Sequence, residues 1–248
     1  MKKLSIPFAL LLLVAIGCNR TPKNQNRVDT ELYTLCDSMF FKNDYDKGYS
    51  YFTVNAELPV TGNDSLRLNI LHRMLSSDTE DYKAYFQKKK DNFFSEDGNE
   101  PNSAFVDNFT LSEQTETYVT YMSEGYIYTG GAHPTPWYYG TSFSKIDGSI
   151  IGYDMFVNPE QLKGLITKNI KSQYFDKFDT NEEEYPFEPN ETLALPSNEP
   201  WIETDSVVFC YGTYEIAPYA AGMPLCKISK NELLPYLSDK GKSILIHQ

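Results

Sequence analysis

The order of apolar and polar residues predicts alternating helices and strands in the first hundred residues. Residues 29–41 carry apolar side chains at helical spacing and predict a first helix. Residues 49–58 alternate apolar with polar side chains, which is typical of a half-buried strand. Residues 64–76 and 79–94 again have the helical spacing, and the polar stretch 95–103 that follows them is the best internal boundary.

From residue 104 the pattern becomes that of short strands separated by turns. An Asp-Gly turn at 147–148 and a helix capped by Asn158 and begun by Pro159 interrupt it, and a last helix is predicted at 229–237. The predicted strands are 105–110, 115–122, 125–128, 137–144, 201–204, 206–211 and 225–228. Short, closely spaced strands favour antiparallel pairing. The sequence therefore predicts an α+β fold, an antiparallel β-sheet with helices packed on one face.

The N-terminus predicts export and a lipid anchor. Lys2 and Lys3 precede an apolar stretch that is too short to span a membrane, and the stretch ends in Gly17-Cys18. This ending resembles the lipobox of bacterial lipoproteins, which implies that residues 1–18 are a signal peptide and that Cys18 becomes acylated. The alternative is a plain signal peptide with an incidental cysteine. Residues 19–28 form a polar tether, and we expect a membrane-anchored, periplasm-facing protein of the cell envelope, with surface exposure left open.

The charge of the chain excludes nucleic acid as a partner. The net charge is −12, and without Lys2 and Lys3 the chain has 20 basic and 34 acidic residues, a net charge of −14. An acidic excess of this size repels phosphate backbones and anionic lipid headgroups. The three histidines lie far apart in the sequence, and no motif has the spacing of a metal site. We therefore expect no cofactor and no metal.

Three cysteines remain after Cys18, which is an odd number. Cys210 ends one predicted strand and Cys226 opens another, so the two could form a disulfide across neighbouring strands. The alternative is three reduced, buried thiols. In either case Cys36 is expected to be free and buried in the first helix.

Two segments rich in backbone-shaping and aromatic residues stand out in the second half. Gly130-Gly131-Ala132-His133-Pro134 is followed by an aromatic strand, and Tyr214-Glu215-Ile216-Ala217-Pro218-Tyr219-Ala220-Ala221-Gly222 follows residues 206–211. Together they resemble the extracytoplasmic C-terminal domain of unknown function found in RsiV-like, lysozyme-sensing anti-sigma factors and beside peptidoglycan-deacetylase modules. The resemblance covers residues 104–248, and residues 29–103 resemble the companion N-terminal domain loosely. It implies an extracytoplasmic binding domain without catalysis of its own.

The residues of these two segments are the candidate ligand-binding site. The candidates are His133, Trp137, Tyr138, Tyr139, Tyr214, Glu215 and Tyr219. His133 lacks a companion nucleophile or ligand set in its motif, so a structural role that fixes the loop is favoured over catalysis. For Glu215 a buried, hydrogen-bonded carboxylate is favoured over a contact for a basic partner. No catalytic residue is predicted.

The sequence therefore predicts a non-catalytic envelope protein that recognises a wall-associated ligand. The ligand is either a cationic, lysozyme-like protein or a peptidoglycan fragment, and the acidic charge favours the basic protein. The alternative is a cell-wall-modifying enzyme or an accessory to one, associated with polysaccharide deacetylation. A cleft holding His133 and an acid such as Glu215 at hydrogen-bonding distance would favour that alternative.

Overall fold

The structure is a computed structural model that describes residues 27–42, 47–95, 101–178 and 191–246. The predicted signal peptide with Cys18, most of the predicted tether, the acidic run at 182–184 and His247 lie outside these residues. Within the described ranges no helix is both long and apolar enough to cross a membrane.

The α+β class predicted from the sequence is confirmed. The strands are β1 Thr30–Lys42, β2 Lys47–Pro59, β3 Ala104–Gln114, β4 Tyr118–Tyr128, β5 Thr135–Ser144, β6 Ile150–Ile151, β7 Trp201–Glu203, β8 Ser206–Cys210 and β9 Leu225–Ser229. The helices are α1 Asp64–Leu75, α2 Tyr82–Phe93, α3 Lys163–Gln173, α4 Lys230–Leu233 and α5 Asp239–Leu245.

The strands form two sheets. The larger has six strands in the order β1-β2-β3-β4-β5-β6, and the smaller has the order β7-β8-β9. Neighbouring strands are antiparallel except β2 and β3, which run parallel because the chain between them passes through α1 and α2. The larger sheet is therefore mixed. The boundary placed at 95–103 stays a prediction, and the strands on either side of it are neighbours in one sheet.

The helix predicted at residues 29–41 is wrong, because these residues form strand β1. Every residue of β1 lies opposite a residue of β2, from Thr30 opposite Pro59 to Lys42 opposite Lys47. Tyr33 and Leu35 pack against the core below α1 and α2, whereas Leu32 and Phe40 are exposed. The helical spacing of apolar residues was accidental, since in a strand these residues divide between two faces.

Helices α1 and α2 cover one face of the larger sheet and enclose the first core. α1 begins after Asn63, whose side chain accepts a hydrogen bond from the amide of Leu66 at 2.8 Å and caps the helix. The buried residues of this helix-covered core are Val28, Phe52, Val54, Ala56, Leu58, Leu66, Ile70, Leu75, Phe86, Phe105, Phe109, Val119, Tyr121 and Phe143.

The smaller sheet and α3 enclose a second core, and a buried polar cluster joins the smaller sheet to β4 and β5. The hydroxyl of Thr120 lies 2.8 Å from that of Ser142 and 2.9 Å from the carbonyl of Ile202, to which it donates. The amide of Ile202 donates to the Ser142 hydroxyl at 2.9 Å. These bonds fix the smaller sheet against the face of the larger one that the helices leave open.

Two other boundaries differ from the predictions. The three strands predicted between residues 105 and 128 are two long strands, because the turn falls at residues 115–117, where the Thr115 amide donates to the carbonyl of Tyr118. The predicted last helix is short α4 followed by a 3₁₀ turn, since Pro235 lies there, and α5 follows it.

Candidate functional site

The two segments singled out in the sequence meet in the structure. Gly130 and Gly131 have φ values of 103° and 94°, which turn the chain sharply between β4 and β5. The hydroxyl of Tyr128 donates to the Gly131 carbonyl at 2.9 Å and holds this turn. From the second segment, the Tyr219 hydroxyl donates to the Pro134 carbonyl at 3.0 Å, which fastens the two segments to each other.

Three rings form the contact between the segments, and we call His133, Tyr214 and Tyr219 the aromatic platform. The His133 ring stacks on that of Tyr219 with centroids 3.6 Å apart and planes 17° apart. The Tyr214 hydroxyl lies 3.0 Å from His133 Nε2. The three rings are therefore held in fixed positions relative to each other at the surface.

The hydrogen bonds of the platform assign the tautomer of the neutral imidazole. His133 Nδ1 lies 3.1 Å from the Pro134 carbonyl, which can only accept. Nδ1 therefore carries the proton, and in the neutral ring Nε2 accepts from the Tyr214 hydroxyl. Both ring nitrogens have partners. This agrees with the structural role favoured for His133.

Tyr214 has the least ordinary backbone of the platform. Its φ is 67°, in the left-handed region that few tyrosines adopt, and its side chain is 61% exposed. The residue is the third of a turn closed by the Glu215 amide, which donates to the Gly212 carbonyl at 3.1 Å. Residues held in such sparsely populated backbone conformations cluster at active sites and ligand-binding sites.

Glu215 stabilises the turn through hydrogen bonds to Ser197 and Gly212. One carboxylate oxygen accepts from the Ser197 amide at 2.7 Å and from the Ser197 hydroxyl at 2.8 Å. The other accepts from the Gly212 amide at 2.6 Å. These bonds agree with a hydrogen-bonded carboxylate at Glu215, although the residue is half-buried and not buried as expected. The carboxylate oxygens of Glu215 bond to Ser197 and Gly212 and not to His133, so these two residues do not form the acid–histidine pair expected of an enzyme.

The remaining candidates lie along β5, and their side chains do not share one surface, because successive residues of a strand face opposite sides of the sheet. Trp137 packs into the helix-covered core, 5.7 Å from Phe105 between ring centroids. Tyr138 faces the smaller sheet and meets Trp201 edge-on at 6.1 Å. Tyr139 lies under the guanidinium of Arg73, whose carbon is 5.2 Å from the ring centroid. The structure therefore brings together three of the seven candidates as one surface.

Trp137 contacts a half-buried ion pair that the sequence did not indicate. Its side chain donates a hydrogen bond to Asp107, and Lys89 Nζ lies 3.9 Å from Asp107 Oδ2 and 4.5 Å from the Phe105 ring centroid. Burial raises the pKa of Asp107, while Lys89 and the Trp137 bond lower it by less. Burial also lowers the pKa of Lys89. No local sequence pattern joins these three residues, which lie on different elements.

The predicted Cys210–Cys226 disulfide is wrong, and both residues are free, buried cysteines. In the β8–β9 pairing, Cys226 lies opposite Phe209 and Cys210 opposite Leu225. This offset of one residue points the two side chains to opposite faces of the sheet. Burial raises the pKa of each thiol to about 12. Cys36, expected to be buried in a helix, is exposed on β1.

In the part of the chain that the structure describes, no group of three or more His, Cys, Asp or Glu side chains could hold a metal ion. The sequence did not indicate the contact of Ser197 with Glu215 or that of the Pro134 carbonyl with the platform, because a backbone carbonyl and a small polar residue carry no pattern. What the platform offers chemically is a fixed aromatic surface with hydroxyl and imidazole groups. Such a surface is suited to recognition.

Part of the chain matches a known protein family. Residues 153–231 match the family model described as "Protein of unknown function (DUF3298)". No curated protein matches the chain. The match contains Tyr214, Glu215 and Tyr219, whereas His133 lies before it.

Two solved structures share the fold. A DUF3298 family member from Bacteroides fragilis has a TM-score of 0.67 and 18% identity, over 89% of this chain and 99% of that chain. A DUF3298 family protein from Pseudomonas aeruginosa PAO1 has a TM-score of 0.58 and 18% identity, over 85% of this chain and 95% of that chain. The chain therefore has the fold of these two structures, and its residues 153–231 are similar to the DUF3298 family, whose function is unknown.

Proposed function

We propose that this protein is a non-catalytic binding protein of the bacterial cell envelope and that the aromatic platform contacts its ligand. The observation that carries the proposal is Tyr214, exposed over 61% of its surface at a φ of 67° and bonded to His133. Glycine would adopt this φ without the steric strain that tyrosine carries. Tyrosine in a fixed position supplies a large contact area with little further loss of conformational entropy on binding.

The charge of the chain selects a basic protein, such as a lysozyme-like glycan hydrolase, over an anionic glycan. The whole sequence has 34 acidic and 22 basic residues, which draws cationic partners and raises their association rate. A peptidoglycan fragment is the competing ligand. Binding of a purified lysozyme and of a soluble muropeptide to the immobilised full chain, at low and high salt, compares the two. A lysozyme complex should weaken as salt increases.

Two substitutions of Tyr214 separate binding from stability. Tyr214→Ala and Tyr214→Gly remove the same ring, and each should weaken binding by about 2 kcal/mol, roughly 30-fold. Their stabilities should differ, because glycine tolerates the positive φ and alanine does not. We expect Tyr214→Gly to be more stable than Tyr214→Ala by about 1 kcal/mol in urea denaturation.

Tyr49 provides the matched control, since it is 55% exposed on β2 and makes no contact with the platform rings. Tyr49→Ala should leave binding unchanged. The proposal fails if both Tyr214 variants bind as the wild type does, or if Tyr49→Ala weakens binding equally. Binding of the muropeptide alone would keep the platform and replace the basic protein as its ligand.

We also propose the lipid anchor at Cys18, on the basis of the sequence motif. Cells labelled with a fatty acid should incorporate it into the wild-type chain, and Cys18→Ala should remove the label. Label that remains in Cys18→Ala would show that the anchor is elsewhere. Two or more acyl chains would hold the protein far more firmly than one.

A further inference from the structure

The Pro134 carbonyl fixes which nitrogen of the His133 ring gains and loses a proton. It accepts from His133 Nδ1 at 3.1 Å and from the Tyr219 hydroxyl at 3.0 Å, so both of its lone pairs are used. Tyr219 also stacks on the imidazole at 3.6 Å between centroids and holds the ring in this orientation. Nδ1 therefore keeps its proton in both charge states of the ring. The proton that comes and goes is the one on Nε2, which lies beside the Tyr214 hydroxyl.

The hydroxyl of Tyr214 must change its role when that proton arrives. While Nε2 is unprotonated, the hydroxyl donates its hydrogen to Nε2 across 3.0 Å, and both lone pairs of its oxygen stay free. When Nε2 carries a proton, Nε2 becomes the donor and the Tyr214 oxygen accepts from it. The hydroxyl hydrogen is then released toward the surface. Because Tyr214 is largely exposed, a ligand on the platform meets this change directly.

We propose that His133 selects the charge of the ligand group that Tyr214 binds. Beside the neutral ring, the Tyr214 oxygen offers only lone pairs, which suit the N–H donors of an ammonium or guanidinium group. Beside the protonated ring, it offers a hydrogen next to a positive charge, which repels that cation. Histidine ordinarily changes its charge between about pH 5 and pH 8, so the platform binds a basic protein at the upper end of this range and releases it at the lower end. This inference rests on the function proposed above and names the group that is recognised.

The groups that face the His133 ring carry no charge of their own over this range. Among the described residues they are the phenols of Tyr214 and Tyr219. From the end of β4, the Tyr128 hydroxyl donates to a backbone carbonyl of the glycine turn, and the Glu215 carboxylate is held by hydrogen bonds within its own segment and to a neighbouring serine. None of the ion pairs formed by the described residues includes His133.

The size of the effect follows from the distance between the two charges. A ligand nitrogen that donates to the Tyr214 oxygen lies about 6 Å or less from His133 Nε2, since two hydrogen bonds separate them. At an exposed site, a positive charge added at this distance should weaken the binding of a cationic group about tenfold.

Nitrogen NMR of the full chain tests the proton assignment without a ligand. At about pH 8, His133 should have a proton on Nδ1 and none on Nε2, and at about pH 5.5 it should have a proton on both. Tyr214→Phe removes the donor to Nε2, so the Nε2 signal of neutral His133 should move in this variant. A proton on Nε2 at the higher pH would overturn the proposal, because the Tyr214 hydroxyl would then have the same role in both charge states.

The pH profile of binding tests the selection. The dissociation constant of purified lysozyme from the immobilised full chain, at constant salt, should be about tenfold higher at about pH 5.5 than at about pH 8. His133→Gln keeps a donor and an acceptor but cannot be protonated, so this ratio should fall to that of the groups elsewhere. His72→Gln is the matched control, since His72 lies on α1 and has no bond to the platform rings. It should keep the wild-type ratio.

The outcomes separate this inference from the function on which it rests. Lysozyme that binds with the same ratio to the wild type and to His133→Gln overturns the inference, although the platform would still be a binding surface. A ratio that His72→Gln lowers as much as His133→Gln does overturns it as well. Lysozyme that binds at neither pH contradicts the basic ligand itself, and with it the selection of a cation at Tyr214.

Discussion

The helix-covered core and the aromatic platform are built from the same kind of residue and use it differently. In the core, aromatic rings pack on aromatic rings, with Phe52 and Phe105 stacked at 4.7 Å and Phe109 and Tyr121 at 4.8 Å between centroids. On the platform the stacking of His133 on Tyr219 is closer still, and yet Tyr214 beside them is largely exposed. Aromatic content and stacking therefore do not distinguish a binding surface from a core. Exposure of a fixed ring does.

Hydrogen bonding of the polar atoms is more complete on the exposed platform than in the buried core. On the exposed platform, both nitrogens of His133 and the hydroxyls of Tyr214 and Tyr219 have hydrogen-bond partners. In the core, the Tyr121 hydroxyl has none in the described residues, and burial raises the pKa of the half-buried Asp107 carboxyl. The platform is thus preorganised for binding. The core tolerates unfavourable polar groups because it buries a large apolar area.

The largest expected effect is the loss of stability in Trp137→Ala, and His133→Ala in the same segment provides the contrast. Trp137→Ala should lower the free energy of unfolding by about 3–4 kcal/mol, because it leaves a cavity in the helix-covered core and removes a hydrogen bond to Asp107. His133→Ala should lower it by about 1 kcal/mol or less, since the ring is exposed. Urea denaturation measures both. Similar losses in the two variants would mean that the platform is part of the core.

The second effect concerns the Lys89–Asp107 pair. Asp107→Ala should cost about 2 kcal/mol, a value reduced for solvent screening because the Lys89 side chain is 38% exposed. The double variant Lys89→Met/Asp107→Leu should regain most of this loss, since apolar side chains of similar size need no solvation. A double variant that is less stable than Asp107→Ala would show that the pair is net stabilising.

The same pair predicts a pH dependence. The pKa of Asp107 is raised in the folded state. At pH values just above the ordinary pKa of aspartate, the folded protein therefore binds more protons than the unfolded chain. Stability from this group is therefore present at low pH and is lost as the pH rises through its folded pKa. Over that pH range the wild type should lose stability relative to the Lys89→Met/Asp107→Leu variant. Urea denaturation of both proteins at several pH values measures the difference. A constant difference would contradict the raised pKa.

The sequence predicted the local elements well where one face is buried. The alternation in β2 and the spacing in α1 and α2 each follow from burial of one face against the helix-covered core. β1 failed because it is an edge strand with apolar residues on both faces, so its pattern matched a helix by chance. The parallel pairing of β2 with β3 has no local pattern at all, since it depends on where the two helices return the chain.

The site could be predicted in part, through residues that shape the backbone. The glycines at 130 and 131 and Pro218 indicated two unusual loops, and the loops do meet. The sequence could not separate Trp137 from His133, because that depends on which side of β5 each residue faces. It also could not find Lys89 and Asp107, whose contact joins α2 to β3.

The smallest expected effect is a gain in stability from removing the unpaired hydroxyl of the core. Tyr121 is fully buried, and its hydroxyl has no hydrogen-bond partner among the described residues. Tyr121→Phe keeps the ring stacked on Phe109 and removes a desolvated polar group, so the free energy of unfolding should rise by about 1 kcal/mol.

Tyr118 is the matched control, since it is equally buried but its hydroxyl donates to Glu113 Oε1 at 2.8 Å. Tyr118→Phe should therefore lower stability by about 1 kcal/mol. If Tyr121→Phe also lowers it in the same urea denaturation, the Tyr121 hydroxyl is satisfied by an ordered water, and the contrast between an unsatisfied core and a fully bonded platform fails at this residue.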